Sequence, residues 1–219
     1  TPAFTLGSVT AAQFPVAEID AVISGVTCSD GEPSAVIQMT YDGKSAWSQA
    51  ACGNGKVEKQ RLGGKEVPEL ADLTSATSLT TVLAEMGTVY GSQKKYREWR
   101  ISTGLGSGGE QFFSVTGEAP AVQPSCVAPA RRTLAVKNTN YGLGFGGECV
   151  TDAPATSFSL DGVSGEQLAT ALAKGVQAAG GSLRTARIIA GPDGSPVIEV
   201  LGAKAPGMAT VDLNGNPVK

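Results

Sequence analysis

An internal duplication constrains the fold of this chain more than any other feature of its sequence. Residues 126–201 repeat the plan of residues 28–117: a pair of cysteines, a polar stretch, a helical pattern, and two strand-like segments around a glycine-rich turn. Cys28 and Cys52 are 24 positions apart, and Cys126 and Cys149 are 23 apart. Because the repeat is about as long as a small domain, it predicts two tandem modules rather than a solenoid of short repeats.

Each copy has an apolar stripe of helical spacing, followed by a strand that contains Arg-Ile. The stripes are Leu79, Val82, Leu83, Met86 and Tyr90 in the first copy and Leu168, Ala171, Leu172, Val176 and Ala179 in the second. The strands carry Arg100-Ile101 and Arg187-Ile188 at matching places. One helix on an antiparallel sheet buries both apolar faces most simply. The predicted fold class is therefore α+β, with two tandem ββαββ-like modules.

The proline-rich segment 118–125 predicts the boundary between the modules. The N-terminal module then covers residues 1–117, with an extra segment at 1–25, and the C-terminal module covers 126–219. Within the extra segment, residues 16–23 fit a short helix or a strand, and we predict a helix because the fixed φ of the preceding Pro15 suits a helix start. The polar, glycine-rich stretch 53–64 predicts a loop, and residues 211–216 predict a loosely held tail.

The four cysteines predict two disulfides that staple the modules. Four cysteines allow three pairings, and the duplication favours Cys28–Cys52 with Cys126–Cys149, because each copy is then self-contained. Zinc is the alternative, but zinc sites use closely spaced cysteines, and the chain has no histidine. Disulfides are typical of exported domains. We therefore expect an extracytoplasmic protein, periplasmic, cell-surface or secreted.

The sequence contains neither a long apolar run nor a recognisable signal peptide. No run of about 18 apolar residues occurs, so we expect no membrane span. The start Thr1-Pro2-Ala3-Phe4 lacks the basic start and apolar core of a signal peptide. If the disulfides form, we expect the chain to be a mature or trimmed form whose export signal has been removed. A lipid anchor outside these residues is an open alternative.

The composition argues against several functions. The net charge is −3 and Lys and Arg are not clustered, so we expect no nucleic-acid partner. The lack of histidine excludes Ser-His-Asp and Cys-His catalysis. Carboxylate pairs fall in polar loops, and a calcium-like alternation at Asp212, Asn214 and Asn216 lacks the later glutamate. We expect no enzyme activity, cofactor or metal.

The few aromatic residues near the first hairpin of each copy are candidate interaction residues. They are Tyr41, Trp47, Tyr141 and Phe145. Tyr41 and Trp47 neighbour polar residues, so we expect both to be partly exposed, and exposed Tyr and Trp are typical of binding hot spots.

The function that the sequence predicts is binding. We expect a non-catalytic binding or structural module, acting in cell-envelope or extracellular assembly or recognition with another protein, and presenting exposed hairpin edges or aromatics. One alternative is a carrier of a small molecule or glycan, with its site between the modules. A carboxylate- or metal-dependent hydrolase is a weaker alternative.

Overall fold

The computed structural model describes residues 16–39, 46–70, 72–90, 95–103, 111–117, 130–133, 142–145, 156–204 and 207–218. The described residues up to Val67 form one compact unit, and those from Pro68 onward form a second. This division differs from the boundary predicted at 118–125, a segment that lies outside the described residues.

The first unit is a helix on a four-stranded antiparallel sheet. Its elements are α1 (Val16–Ile23), β1 (Ser34–Met39), β2 (Ala46–Ala51), β3 (Val57–Leu62) and β4 (Lys65–Glu66), and the strands lie in the order β1-β2-β3-β4. Helix α1 has the bounds that its sequence predicts. Strand β3 lies where a loop was predicted.

Polar contacts between α1 and the sheet explain why the charged segment of β3 forms a strand. The carboxylate of Glu18 accepts a hydrogen bond from Ser48 Oγ at 2.7 Å and pairs with Arg61 Nε at 2.9 Å. Lys59 Nζ donates to the carbonyl oxygens of Ala21 and Ser24, at 3.0 and 3.2 Å. The two basic side chains of β3 are therefore satisfied by α1 and the residue that follows it, although the sequence of β3 has little strand character.

The second unit has two helices and an eight-stranded antiparallel sheet. Its elements are α2 (Ala76–Tyr90), β5 (Lys95–Thr103), β6 (Gln111–Gly117), β7 (Ala130–Thr133), β8 (Gly142–Phe145), β9 (Phe158–Ser159), α3 (Gly165–Ala178), β10 (Leu183–Ala190), β11 (Pro196–Gly202) and β12 (Met208–Asp212). Seven strands follow the order β12-β11-β10-β5-β6-β7-β8, and β9 pairs with β5 beside them.

The α+β class is confirmed, but the two copies of the repeat do not form separate sheets. Strand β5 of the first copy pairs antiparallel with β10 of the second. Arg100 lies directly opposite Arg187, and these are the residues that the two copies match in sequence. This pairing places the two matched strands side by side within one sheet. A lone hairpin is marginally stable, whereas two joined hairpins beneath two helices bury a continuous core.

The core of the second unit lies between the helix pair and one face of the sheet. Residues Leu79, Leu168 and Leu172 of the helices meet Ile101, Ala186, Ile188 and Ile198 of the strands. A row of edge-to-face rings extends this core: Tyr96 lies 5.2 Å from Trp99, and Trp99 lies 6.2 Å from Phe113, between ring centroids. Burial, with a smaller contribution from Asp161, raises the pKa of the Tyr96 phenol well above its usual value.

The segment after β12 is an ordered turn, so the prediction of a loosely held tail is wrong. Asp212 Oδ1 accepts hydrogen bonds from the backbone amides of Asn214 and Asn216, both at 2.8 Å. These bonds hold the pKa of Asp212 below its usual value, and the bond from the Asn216 amide contributes most. Their contribution to stability is therefore present above the unfolded-state pKa and is lost as the pH falls through the folded-state pKa.

Candidate functional site

The outer edge of β1 is the candidate site, because β1 ends the order of the first sheet. Its inner side pairs with β2 over six residues without an irregularity, from Ser34 opposite Ala51 to Met39 opposite Ala46. Within the described ranges, no strand pairs with its outer side. An unpaired edge offers a row of backbone donors and acceptors to another extended chain.

The side chains of β1 do not protect this edge. The strand reads Ser-Ala-Val-Ile-Gln-Met and carries no charge. Val36 is 50% exposed, and Ser34, Ala35 and Gln38 are also exposed. Proteins usually guard long edges with charged residues, with bulges or by covering them. Residues of guarding types, Glu32 and Pro33, come just before the strand and lie outside it.

Two other described edges are guarded, which sets β1 apart. Strand β4, at the opposite side of the same sheet, has only two residues, and both are charged. Strand β12, at one side of the second sheet, is covered by the end of the chain: the Val218 amide donates to the Thr210 carbonyl at 2.9 Å, and Val211 bridges to Pro217.

A disulfide between Cys28 and Cys52 holds the start of β1 against the end of β2, as the spacing of the cysteines predicted. The two Cα atoms are 5.5 Å apart. Close by, Ser34 Oγ donates to the Ala51 carbonyl at 3.1 Å. Asp30 lies near both sulfurs, but sulfurs bonded to each other are not thiolate ligands, so this group does not form a metal site. The edge is therefore held in a preorganised position.

Trp47 is the one predicted interaction residue whose side chain the structure describes, and the expectation that it is partly exposed is wrong. It is 7% exposed. Trp47 belongs to β2, an inner strand, and lies between Gln38 of β1 and Leu62 of β3. Ser48, the polar residue next to Trp47 in sequence, points to the opposite face of the strand, so it carries no information about the burial of Trp47.

The other predicted residues cannot be placed in the site. Tyr41, Tyr141, Cys126 and Cys149 lie outside the described residues. Phe145 is the last residue of β8, and its side chain also lies outside the described part. The sequence signal for the edge of β1 was weaker than that for the aromatic residues: it was an uncharged, strand-like run after Cys28.

A second surface lies on the sheet face opposite α2 and α3. Arg100 and Arg187, which face each other across the strands, share the carboxylate of Glu98: Arg100 Nη2 lies 2.9 Å from Oε1, and Arg187 Nε lies 3.0 Å from Oε2. Arg187 Nη1 is also 3.8 Å from Glu199 Oε2. Glu98 is the least exposed of the four side chains, at 13%. The two arginines and two glutamates have no net charge, and the Glu98 carboxylate holds the two positive charges side by side.

Replacing Glu98 with glutamine should lower the free energy of unfolding by about 1–2 kcal/mol, because like charges directly opposite each other destabilise a sheet and both arginines lose a charged partner. Urea unfolding measures this loss. Glu199→Gln is the matched control: its carboxylate is exposed and distant, so we expect a loss of less than about 0.5 kcal/mol. Equal losses in the two variants would contradict a bridging role for Glu98.

None of the helices in the described ranges combines the length and the apolar character needed to cross a membrane. Comparison of the chain with protein-family models, with curated proteins and with solved structures found no match.

Proposed function

We propose that this protein is an exported, non-catalytic binding module, which pairs the edge of β1 with an extended segment of a protein partner in cell-envelope or extracellular assembly. The observation that supports this function is the six-residue, uncharged edge on a sheet whose opposite edge is short and charged. Recognition by strand addition draws affinity from backbone hydrogen bonds and specificity from alternate side chains.

The disulfide supports both the site and the location of the protein. Disulfides persist in oxidising compartments, so Cys28–Cys52 fits a periplasmic, cell-surface or secreted protein. The same bond reduces the cost of ordering the edge on binding, because a preorganised strand loses less conformational freedom. Strand pairing needs no catalytic group, cofactor or metal, which agrees with the function expected from the sequence.

A selection experiment tests this function. A display library of eight-residue peptides is selected against the purified chain, and hydrogen exchange locates each selected peptide. We expect peptides with alternating apolar residues that protect the amides of Ser34–Met39. Val36→Lys should abolish their binding, because a charge on an edge strand opposes pairing. Val36→Thr, which keeps a branched and uncharged side chain, should retain it.

Two results would count against strand addition. Peptides that protect another surface, such as the exposed Met208 on β12, would move the binding site. A chain that selects no peptide but retains oligosaccharides on a glycan array would instead support a carrier function. In either case, equal behaviour of Val36→Lys and the unaltered chain would remove β1 from the site.

A further inference from the structure

The order of side chains along β1 makes this edge complementary to itself. On one face of the sheet, Ser34, Val36 and Gln38 follow one another, with the apolar residue in the centre and a polar residue on either side. Ala35 and Ile37 lie on the other face, because successive side chains alternate across a strand. A strand with this symmetry can pair with an identical strand that runs in the opposite direction.

We infer that the partner of the β1 edge is β1 of a second copy of this chain. This inference rests on the proposed function and names the partner. In a two-fold antiparallel pair, one residue lies opposite its own copy, and residues equally far on either side lie opposite each other. With Val36 at the centre, Val36 meets Val36, Ser34 meets Gln38, and Ala35 meets Ile37 of the second copy.

Other registers give poorer pairs on the face that carries Ser34, Val36 and Gln38. Centring the pair on Ile37 would place Val36 opposite Gln38, and centring it on Ala35 would place Val36 opposite Ser34. Only the register at Val36 pairs apolar with apolar and polar with polar residues there. Branched apolar pairs stabilise antiparallel strands, and a serine opposite a glutamine can form a hydrogen bond.

Electrostatics do not oppose this pairing at the edge itself. A two-fold axis places each charge near its own copy, so a charged edge would repel itself, but β1 carries no charge. The opposite edge, β4, is charged. Pairing through β1 therefore joins four strands from each copy into one sheet and leaves guarded strands at both outer ends.

Sedimentation and cysteine cross-linking test the pairing with the whole chain. We expect a concentration-dependent dimer that Val36→Lys abolishes and Val36→Thr retains. Under mild oxidation, a mixture of Ser34→Cys and Gln38→Cys chains should cross-link, because these positions lie opposite each other. Each variant alone should not, because its two copies would lie about 13 Å apart along the strands.

The outcomes separate this inference from the proposed function. A dimer that survives Val36→Lys, or Ser34→Cys chains that cross-link with each other as readily as with Gln38→Cys chains, would overturn the pairing. A monomer at all concentrations would also overturn it. If selected peptides still protect β1 in that monomer, strand addition stands and only the identity of the partner is wrong.

Discussion

Gly165→Ala is expected to lower the free energy of unfolding by about 2–3 kcal/mol, although alanine normally favours a helix. Gly165 begins α3, where a side-chain Cβ would overlap Thr80 Oγ1, the Thr80 amide nitrogen and the Ala76 carbonyl oxygen of α2. Two of these three atoms belong to the backbone, so they cannot rotate away. The helices must separate, and the core beneath them loosens.

Urea unfolding followed by circular dichroism measures the effect of Gly165→Ala. Thr170→Ala is the control, because Thr170 is exposed on the same helix and its replacement should change stability by less than about 0.5 kcal/mol. A Gly165→Ala protein as stable as the control would show that α2 and α3 do not approach each other as closely as described. Val at this position should be worse than Ala, since it is bulkier.

Removal of the disulfide by the double change Cys28→Ala and Cys52→Ala should cost about 3 kcal/mol. The bond closes a loop with a sequence separation of 24, which contains β1 and β2, so its loss gives the unfolded chain more freedom. We expect the effect in the first unit. Amide hydrogen exchange of β1 and β2 should accelerate, while exchange in β10 and β11 should stay unchanged.

Ser34→Ala is the control for the disulfide. It removes only the hydrogen bond from Ser34 Oγ to the Ala51 carbonyl, at 3.1 Å, and should cost about 1 kcal/mol or less. Equal acceleration of exchange in both units after loss of the disulfide would contradict a local effect. Unchanged exchange in β1 would show that the bond does not hold the proposed binding edge in place.

Some elements could be predicted from the sequence because their causes are local. Helix α1 begins just after Pro15, as predicted, and α3 follows Ser164, a residue type that favours helix starts, whose Oγ accepts from the Gln167 amide at 3.1 Å. The spacing of Cys28 and Cys52 predicted their bond. The attachment of the turn after Asp212 to β12 could not be predicted, because it depends on a bridge between Val211 and Pro217.

The sequence predicted the type of binding site but not the residues that form it. The sequence predicted exposed hairpin edges or aromatics for a binding module, and the choice between them depended on burial. Trp47 is buried because β2 is an inner strand, whereas Val36 is exposed because β1 is the outermost one. Strand order is a property of the whole sheet, so neither side chain could be assigned from its neighbours in sequence.

The sequence by itself determined the α+β class and the Cys28–Cys52 disulfide, since periodicity, capping and cysteine spacing are properties of short stretches of chain. Only the tertiary structure decided that β5 pairs with β10, that the polar β3 is a strand, and that β1 ends the order of the described strands in its sheet. The physical reason is that a strand satisfies half of its backbone through a neighbour that is distant in sequence. Which neighbour it has depends on the free energy of the whole packed unit.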